Sequence, residues 1–287
     1  MSERLDVALV QRELARSRSA AQRAISEGIV RLNGVPVIRP SIKVEDSDEL
    51  TVDGPERYVS RAARKLLAMF EAQDDLTAQG RYCLDVGAST GGFTQVLLQR
   101  GAAGVAALDV GHAQLHPLIR SDPRAAVIEG ENARYLTAAR LDECIAASSR
   151  WGSVGAEAID LIVGDVSFIS LTHVLPALVA STPAHRDWVL LIKPQFEVGR
   201  QGVKGGIVTD PLLALHGVER VIWNAFDLGL GLQHIMESPV LGTHGNREFV
   251  ARFGQAHEAP ERHPEQWNER LRALVLGGAR RPRKGTS

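Results

Sequence analysis

The stretch Cys83-Leu84-Asp85-Val86-Gly87-Ala88-Ser89-Thr90-Gly91-Gly92-Phe93 decides the fold of this 287-residue chain. Its apolar beginning predicts a buried strand, and Thr94 to Gln99 predict a helix after it. Glycines at the bend permit positive φ and let a ligand approach the backbone closely. The first turn of such a helix offers unbonded N–H groups to an anionic group. The stretch therefore predicts a strand–loop–helix unit that binds a ligand.

Four known motifs compete for this glycine loop. The dinucleotide motif G-x-G-x-x-G fails because Ser89 replaces its second glycine, and the NTPase phosphate loop fails because no Gly-Lys-Ser/Thr follows. Gly87 to Gly91 does match G-x-S-x-G, the nucleophile elbow of hydrolases. The fourth motif is D-x-G-x-x-x-G, the loop of S-adenosylmethionine (SAM) methyltransferases, with Asp85 at the strand end. Residues outside the loop have to decide between the last two.

Composition limits the class of protein. Hydrophobic residues make up 44% of the chain, which allows a packed core, and the net charge is −1, so any nucleic-acid surface must be local. Cys83 and Cys144 are the two cysteines, which argues against a disulfide framework or a cysteine zinc site. Neither a signal peptide nor a membrane-spanning apolar run is visible. We expect a cytoplasmic protein without a membrane partner, and we favour a monomer.

Residues 1–53 predict a small α+β domain. A first helix begins near Leu5, and a second, capped by Ser17 or Ser19, ends at Gly28. A strand, an Asn33-Gly34 turn and another strand follow, and Lys43 to Val52 supply a further strand. We expect a linker at 54–60, a large domain at 61–258 and an extension at 259–287 that ends in the basic tail Arg280-Arg281-Pro282-Arg283-Lys284.

The small domain resembles the RNA-binding module of the ribosomal-protein-S-four family. The resemblance rests on R-L-D-x-x-L from Arg4, on S-R-S-x-A-x-x-x-I-x-x-G from Ser17 to Gly28, and on V-x-L-N-G-x-x-V from Val30 to Val37. It implies that arginine-bearing helices hold RNA backbone, whereas a charge run alone would indicate a solvated helix face. The residues expected to contact RNA are Arg4, Arg16, Arg18, Arg23, Arg31, Arg61 and Arg64, with Arg200 and Lys204 in a glycine-rich loop.

From Arg81 onward, strand and helix patterns alternate. Strands are predicted at Tyr82–Val86, Gly104–Asp109, Ala126–Glu129, Asp160–Gly164, Trp188–Ile192, Gln233–Ser238 and Glu248–Arg252. Helices are predicted near Phe93–Arg100, Leu115–Leu118, Leu171–Val179 and Pro211–Phe226, after one that opens at Ser60. The alternation predicts an α/β, Rossmann-like parallel sheet covered on both faces. The closing pair predicts an antiparallel hairpin, typical of methyltransferases.

Ligands of such sheets bind beyond the carboxyl ends of the strands. There the sequence places Asp85 and its loop, then Asp109 at the spacing of a ribose-binding acid, then Glu129, Asn132 and Arg134. Asp165 and Lys193 end the next two strands. A random Asp and Lys would form a structural salt bridge, but their place at this edge favours a catalytic pair. The expected cofactor-binding residues are Asp85, Gly87, Ala88, Ser89, Thr90, Gly91, Gly92, Phe93, Asp109, Val110, Asn132 and Asp165.

Lys65, Asp165, Lys193 and Glu248 match the K-D-K-E set of FtsJ-like ribose 2′-O-methyltransferases. The strings S-R-A-A-R-K-L, D-V-G-A-S-T-G-G-F-T, D-V-S-F-I-S-L, K-P-Q-F-E and G-N-x-E-F resemble the TlyA family, which is named for haemolysin. The resemblance implies SAM as cofactor and methylation of ribosomal RNA, at cytidine. It also implies that Lys193 holds or deprotonates the ribose hydroxyl and that Asp165 and Glu248 orient the lysines. Tyr58 and Ala62 depart from the family, which often has tryptophan and glycine there.

Three weaker hypotheses remain. A serine hydrolase would use Ser89 with Asp165 and His244, although its elbow normally follows several strands of the sheet. A non-catalytic RNA-binding factor, or a haemolysin, would not need the charged set together with Asp85 and Asp109. His112 and His116 have helical i, i+4 spacing that can bind a metal, but no third ligand is evident and we expect no metal.

Overall fold

A computed structural model describes residues 2–15, 17–26, 28–52, 58–148, 151–199, 202–242, 245–256 and 263–277. The chain forms two compact units, Met1–Arg61 and Ala62–Ser287. Each unit has an apolar core of its own. The finer division expected from the sequence, with a linker at 54–60 and an extension from residue 259, stays a prediction.

The first unit is α+β, as the sequence predicts. Its elements are β1 (Glu3–Arg4), α1 (Leu5–Gln11), α2 (Arg18–Ser26), β2 (Val30–Leu32), β3 (Val35–Pro36), β4 (Lys43–Val44) and β5 (Leu50–Val52). Strand β2 pairs antiparallel with β3 and β5, and β1 pairs antiparallel with β4. Asn33 and Gly34 both have positive φ, 52° and 75°, which suits a two-residue hairpin turn. Leu5, Leu9 and Ile25 are completely buried between the helices and strands.

The second unit is built on a seven-stranded sheet. Its strands are β6 (Tyr82–Val86), β7 (Gly104–Asp109), β8 (Ala125–Glu129), β9 (Ile159–Gly164), β10 (Asp187–Ile192), β11 (Leu230–Glu237) and β12 (Phe249–Gln255). They lie in the order β11-β12-β10-β9-β6-β7-β8. Strands β10, β9, β6, β7 and β8 pair in parallel, whereas β12 pairs antiparallel with both β10 and β11. The predicted α/β sheet with an antiparallel hairpin is confirmed.

The helices of this unit are α3 (Ala63–Ala72), α4 (Gly92–Gln99), α5 (Pro117–Arg120), α6 (Ala138–Ser148), α7 (Leu175–Ser181), α8 (Pro194–Glu197), α9 (Pro211–Asp227) and α10 (Asn268–Gly277). Ala62, where the family often has glycine, caps α3 with an ordinary helical φ of −55°. An alanine therefore fits there without strain.

The strand order shows where along the sheet the functional crevice lies. The chain runs from β6 outward to β7 and β8, and then returns to β9 on the other side of β6. The order therefore reverses between β6 and β9, and such a switch point opens a crevice beyond the carboxyl ends of the strands. The loop after β6 and the residues after β9 and β10 meet at that crevice.

Ion pairs of Arg81 and Arg252 hold the opposite edge of the sheet. Arg81 Nε contacts Asp160 Oδ1 at 2.7 Å and its Nη1 contacts Asp187 Oδ2 at 2.8 Å. Arg252 Nη2 contacts Asp187 Oδ1 at 2.9 Å, and its Nη1 contacts Asp75 Oδ1 at 2.6 Å. Burial alone would lower the pKa of both guanidinium groups, but these carboxylates outweigh it and raise the pKa of Arg81 and Arg252. The network ties β6, β9, β10 and β12 together on the side away from the crevice.

Three helices of the second unit, α6, α8 and α10, were not predicted from the sequence. Helix α6 buries Leu141 and Ile145, and α10 buries Leu271 and Val275 in the same core. Residues 263–277 therefore pack against the core of the second unit. The basic tail at 280–284 lies outside the described residues.

Candidate active site

The loop between β6 and α4 has the backbone conformation that its glycines permit. Gly87 has a φ of 80° and Gly91 a φ of 94°. A Cβ on Gly87 would lie 3.0 Å from the carbonyl oxygen of Asp165, and one on Gly91 would lie 2.9 Å from a methyl carbon of Leu115. The missing side chains therefore let the loop approach the end of β9 and the segment before α5.

Asp109, the last residue of β7, fixes this loop through its carboxylate. Its Oδ2 accepts a hydrogen bond from the backbone N–H of Ser89 at 2.8 Å, and its Oδ1 accepts one from the N–H of Gly111 at 2.8 Å. Each carboxylate oxygen has a second lone pair. Asp109 can therefore also accept hydrogen bonds from a diol, the role predicted for it.

A pocket of about 350 Å³ opens beside the loop. Six of the predicted cofactor residues line it: Gly87, Ser89, Asp109, Val110, Asn132 and Asp165. Further lining comes from residues that the prediction did not include, among them Leu108, Gln114, Glu131, Ser167, Phe168 and Ile169. The other six predicted residues, Asp85, Ala88, Thr90, Gly91, Gly92 and Phe93, are not part of this lining and build the loop and helix behind it.

Asp85 stabilises the loop from within the core and is completely buried. Its Oδ2 accepts a hydrogen bond from the hydroxyl of Thr94 at 2.6 Å, and its Oδ1 has no partner among the residues that the structure describes. Burial raises the pKa of Asp85 to about 7. Asp85 therefore lowers the free energy of unfolding as the pH increases from about 4 to 7, because the folded state keeps a proton on this carboxyl group that the unfolded state releases.

The four residues of the predicted K-D-K-E set form one continuous chain of contacts. Glu248 Oε2 contacts Lys65 Nζ at 2.9 Å, and Lys65 Nζ contacts Asp165 Oδ2 at 3.1 Å. The other oxygen of Asp165 contacts Lys193 Nζ at 2.5 Å. These residues come from α3, from the ends of β9 and β10, and from just before β12. Lys65, Lys193 and Glu248 are each at most 6% exposed.

The charges of this cluster stabilise one another. Burial alone would raise the pKa of Asp165, but the ammonium groups of Lys193 and Lys65 outweigh it, and the pKa lies below its usual value. Burial alone would lower the pKa of Lys65, but Asp165 and Glu248 outweigh it and raise that pKa. Asp165 is therefore ionised and Lys65 protonated at neutral pH.

Side chains near α8 connect the cluster to the loop after β9. Lys193 Nζ donates a hydrogen bond to Ser167 Oγ at 2.7 Å, and Gln195 Nε2 donates one to Glu248 Oε1 at 3.1 Å. Buried Glu197 accepts hydrogen bonds from Ser170 Oγ at 2.5 Å and from the N–H of Leu171 at 2.9 Å. The strings D-V-S-F-I-S-L and K-P-Q-F-E therefore contact one another, a connection that sequence alone did not reveal.

Phe168 is the other feature that sequence reasoning missed. Its side chain is 92% exposed, and its φ of 66° is unusual for a residue other than glycine. Its ring lies 5.4 Å from the ring of Phe196 and lines the pocket. In the sequence, only its position just after the predicted strand Asp160–Gly164, at the functional edge of the sheet, could have indicated a role for Phe168.

The arginines predicted to contact RNA fall into several groups. Arg4 and Arg18 both hold Asp6, with Nε to carboxylate distances of 2.9 Å and 2.8 Å. Arg31 donates to the carbonyl of Gly34, and Arg61 to that of Ser26. Arg64 is half-buried in α3, and Lys204 is exposed and pairs through its backbone with Ile207. Arg16, Arg200 and the side chain of Arg23 lie outside the described residues.

Asp6 organises the arginine pair of the first unit, and we expect its loss to disorder that pair. The Arg4 guanidinium holds the pKa of Asp6 well below its usual value. A lowered carboxyl pKa stabilises the fold above the unfolded pKa of about 4, and this stabilisation is lost as the pH falls below it. The protection factors of residues 5–11 in the full chain, which correct exchange rates for the intrinsic effect of pH, should fall between pH 5 and 3, and those of Asp6→Asn should be lower already at pH 7. Equal exchange in Asp6→Asn and in the control Glu13→Gln would contradict this.

Gly87→Ala should weaken SAM binding by at least about tenfold, since a left-handed alanine costs about 1–2 kcal/mol. The added methyl would also press on the backbone of Asp165 and Val166. Gly80→Ala is a matched control, because Gly80 has a φ of 71° with nothing within 4 Å of an added Cβ. Titration calorimetry should show weaker binding in Gly87→Ala alone. Equal affinities in the two variants would mean that the loop does not hold the cofactor.

The geometry does not favour a serine hydrolase or a metal site. Asp165 is paired with two lysines, Ser89 Oγ contacts Gln114 Oε1 at 3.4 Å, and His244 lies outside the described residues. His112 and His116 precede α5 and do not share a helix. Within the described ranges, no group of three or more His, Cys, Asp or Glu residues could hold a metal ion. Within the same ranges, no helix is both long enough and apolar enough to cross a membrane.

Sequence models of two families match the chain. The FtsJ-like methyltransferase model matches residues 58–255, and the S4 domain model matches residues 3–50. The 16S/23S rRNA (cytidine-2′-O)-methyltransferase TlyA of Mycobacterium tuberculosis is 46% identical over 249 residues, which cover 86% of this chain and 87% of that protein. Hemolysin A of Brachyspira hyodysenteriae is 39% identical over 87% of this chain and 99% of its own. A solved structure of a haemolysin-named protein from Streptococcus thermophilus has a TM-score of 0.68 at 34% identity, with 97% and 95% coverage.

The glycine loop, the acid at the end of β7 and the pocket between them fit SAM, and the seven-stranded sheet positions all three. The protein is thus a SAM-dependent methyltransferase. The chain belongs to the FtsJ-like methyltransferase family, and within it to the group that includes TlyA and the haemolysin-named proteins.

Proposed function

We propose that the protein methylates the 2′-hydroxyl of a cytidine in ribosomal RNA. The observation that carries the proposal is the buried chain Glu248–Lys65–Asp165–Lys193 at the edge of the cofactor pocket. The relative from M. tuberculosis, named as a 16S/23S rRNA (cytidine-2′-O)-methyltransferase, supports the substrate. An S4 domain at residues 3–50 supports an RNA partner.

The residues of the cluster suit this reaction. A ribose hydroxyl is a weak nucleophile, so its orientation and the local electrostatic field matter most. SAM, when bound, supplies an electrophilic methyl group. Lys193 would hold the oxygen of the hydroxyl or take its proton, and Asp165 would fix Lys193. Lys65 would help to keep Asp165 ionised, and Glu248 would hold Lys65 in place.

Phe168 supports an RNA substrate rather than a small molecule. Phe168 presents a large exposed ring beside the pocket, a surface on which a partner can pack. Unpaired bases stack on such rings. We infer that Phe168 supports a base near the target ribose, which would be drawn out of its helical stack.

The RNA partner defines where the protein works. We propose that it binds ribosomal RNA or ribosomal subunits in the cytoplasm through the arginines of the first unit and through Arg200 and Lys204. We favour a monomer, since the proposed reaction uses residues of one chain.

Purified protein, ribosomal subunits and tritium-labelled SAM test this proposal. After digestion to nucleosides, the label should be found in 2′-O-methylcytidine. Label in a base-methylated nucleoside would overturn the ribose assignment. Binding of SAM and RNA without any transfer would favour a non-catalytic RNA-binding factor.

A further inference from the structure

Ser167 lies at the reactive edge but belongs to neither the predicted catalytic set nor the predicted cofactor set. Its Oγ is 2.7 Å from Lys193 Nζ, and the residue is exposed at the pocket. Lys193 itself is buried, with 6% of its surface exposed. The hydroxyl therefore lies at the surface of the pocket and contacts the buried lysine behind it.

The contact with Ser167 uses one of the hydrogen-bond donors of Lys193. A protonated lysine has three N–H donors and no acceptor. On Lys193, one N–H is donated to Ser167 Oγ, and the charge is paired with Asp165 Oδ1 at 2.5 Å. An N–H that Ser167 does not use remains for a substrate oxygen. Because Ser167 accepts from Lys193, its own O–H is also left to donate.

The residues that follow Ser167 fix its position. Phe168, the next residue, packs against Phe196, and Ser170 donates a hydrogen bond to buried Glu197. Both partners lie on α8, which begins directly after Lys193. The segment that carries Lys193 therefore also holds the loop that carries Ser167, so their distance is set by the fold.

We propose that Ser167 is a positioning residue for methyl transfer: its hydroxyl holds Lys193 Nζ in a single orientation and directs the remaining N–H to the ribose hydroxyl. The inference rests on the proposed function and adds a residue to it. The charged groups around Lys193 are Asp165 after β9, Lys65 on α3 and Glu248 before β12, with the Phe196 ring 5.8 Å from Nζ. Removing the Ser167 hydroxyl leaves these charges in place and changes the orientation of Nζ alone.

The test compares Ser167→Ala, Ser167→Thr and the control Ser148→Ala, a remote serine whose hydroxyl bonds to the carbonyl of Cys144. For each full-length variant, kcat and KM for ribosomal subunits, the pH profile of kcat and the Kd for SAM are measured. Ser167→Ala should lower kcat by about 10- to 100-fold, in the range of one lost positioned hydrogen bond. Its KM and its Kd for SAM should stay within about threefold of wild type, and its pH profile should shift. Ser167→Thr, which keeps a hydroxyl, should recover most of kcat.

Other outcomes overturn the proposal. A wild-type kcat and pH profile in Ser167→Ala would show that Lys193 needs no such support. A loss confined to SAM affinity would make Ser167 an ordinary pocket residue. Equal losses in Ser167→Thr and Ser167→Ala, without a change in the pH profile, would indicate a role in packing. Failure of the proposed function itself is distinguished by the wild-type protein, which would then transfer no methyl group to ribose.

Discussion

Lys193→Ala should lower methyl transfer to ribosomal RNA by at least about 10³-fold, the scale of a lost positioned catalytic group. Lys193 is buried at the pocket edge, where its Nζ contacts Asp165 and Ser167. Calorimetry should show that SAM still binds with wild-type affinity, because Lys193 is not part of the pocket lining.

Lys193→Arg is the informative companion variant. Arginine keeps the charge, but its planar guanidinium cannot place a compact ammonium between Asp165 and Ser167. We expect a loss close to that of Lys193→Ala. Wild-type turnover in Lys193→Ala would contradict the mechanism, and full activity in Lys193→Arg would show that charge alone suffices.

Asp165→Asn should have the second large effect, on both activity and stability. One carboxylate oxygen accepts a hydrogen bond from Lys65, and the other forms an ion pair with Lys193. The amide removes the negative charge between two buried ammonium groups, and breaking a buried pair costs about 3–5 kcal/mol. Activity should fall by about 10²-fold or more, since Lys193 loses its fixed orientation.

The pH dependence of stability gives a further readout for Asp165→Asn. In the wild type, Asp165 and Glu248 raise the pKa of Lys65, so their contribution is complete below its unfolded pKa and is lost as the pH increases beyond it. In Asp165→Asn the pKa of Lys65 is raised less, so this alkaline loss of stability should be smaller than in the wild type. Asp74→Asn, which changes an exposed carboxylate after α3, is the control. Equal thermal unfolding of the two variants at pH 7 and pH 9 would contradict the account.

Much of the fold could be predicted because its signals are local. Apolar runs such as Leu84 to Val86 and Val189 to Ile192 become buried strands, and the Asn33-Gly34 pair forms the predicted turn. Helices α6 and α10 were missed because few residues of each enter the core. Leu271 and Val275 mark α10 as part of the sheet domain only once their packing partners are known.

Most residues of the site could be predicted from the sequence, but the contacts between them could not. Strand-end positions indicated Asp109, Asp165 and Lys193, and the family resemblance added Lys65 and Glu248. The sequence could not show that Asp165 pairs with both lysines, or that Lys193 and α8 contact the loop that carries Ser167. These contacts join residues far apart in the chain. Asp85 also has a different place from the one predicted, because its carboxylate turns into the core to Thr94 rather than into the pocket.

The most direct test of the central claim is a nucleotide-resolution map of 2′-O-methylation in ribosomal RNA. Cells without the protein are compared with cells that carry the wild type or Lys193→Ala. The account predicts at least one 2′-O-methylcytidine that requires the wild type and is absent with Lys193→Ala. An identical 2′-O-methylation map in all three strains would contradict it.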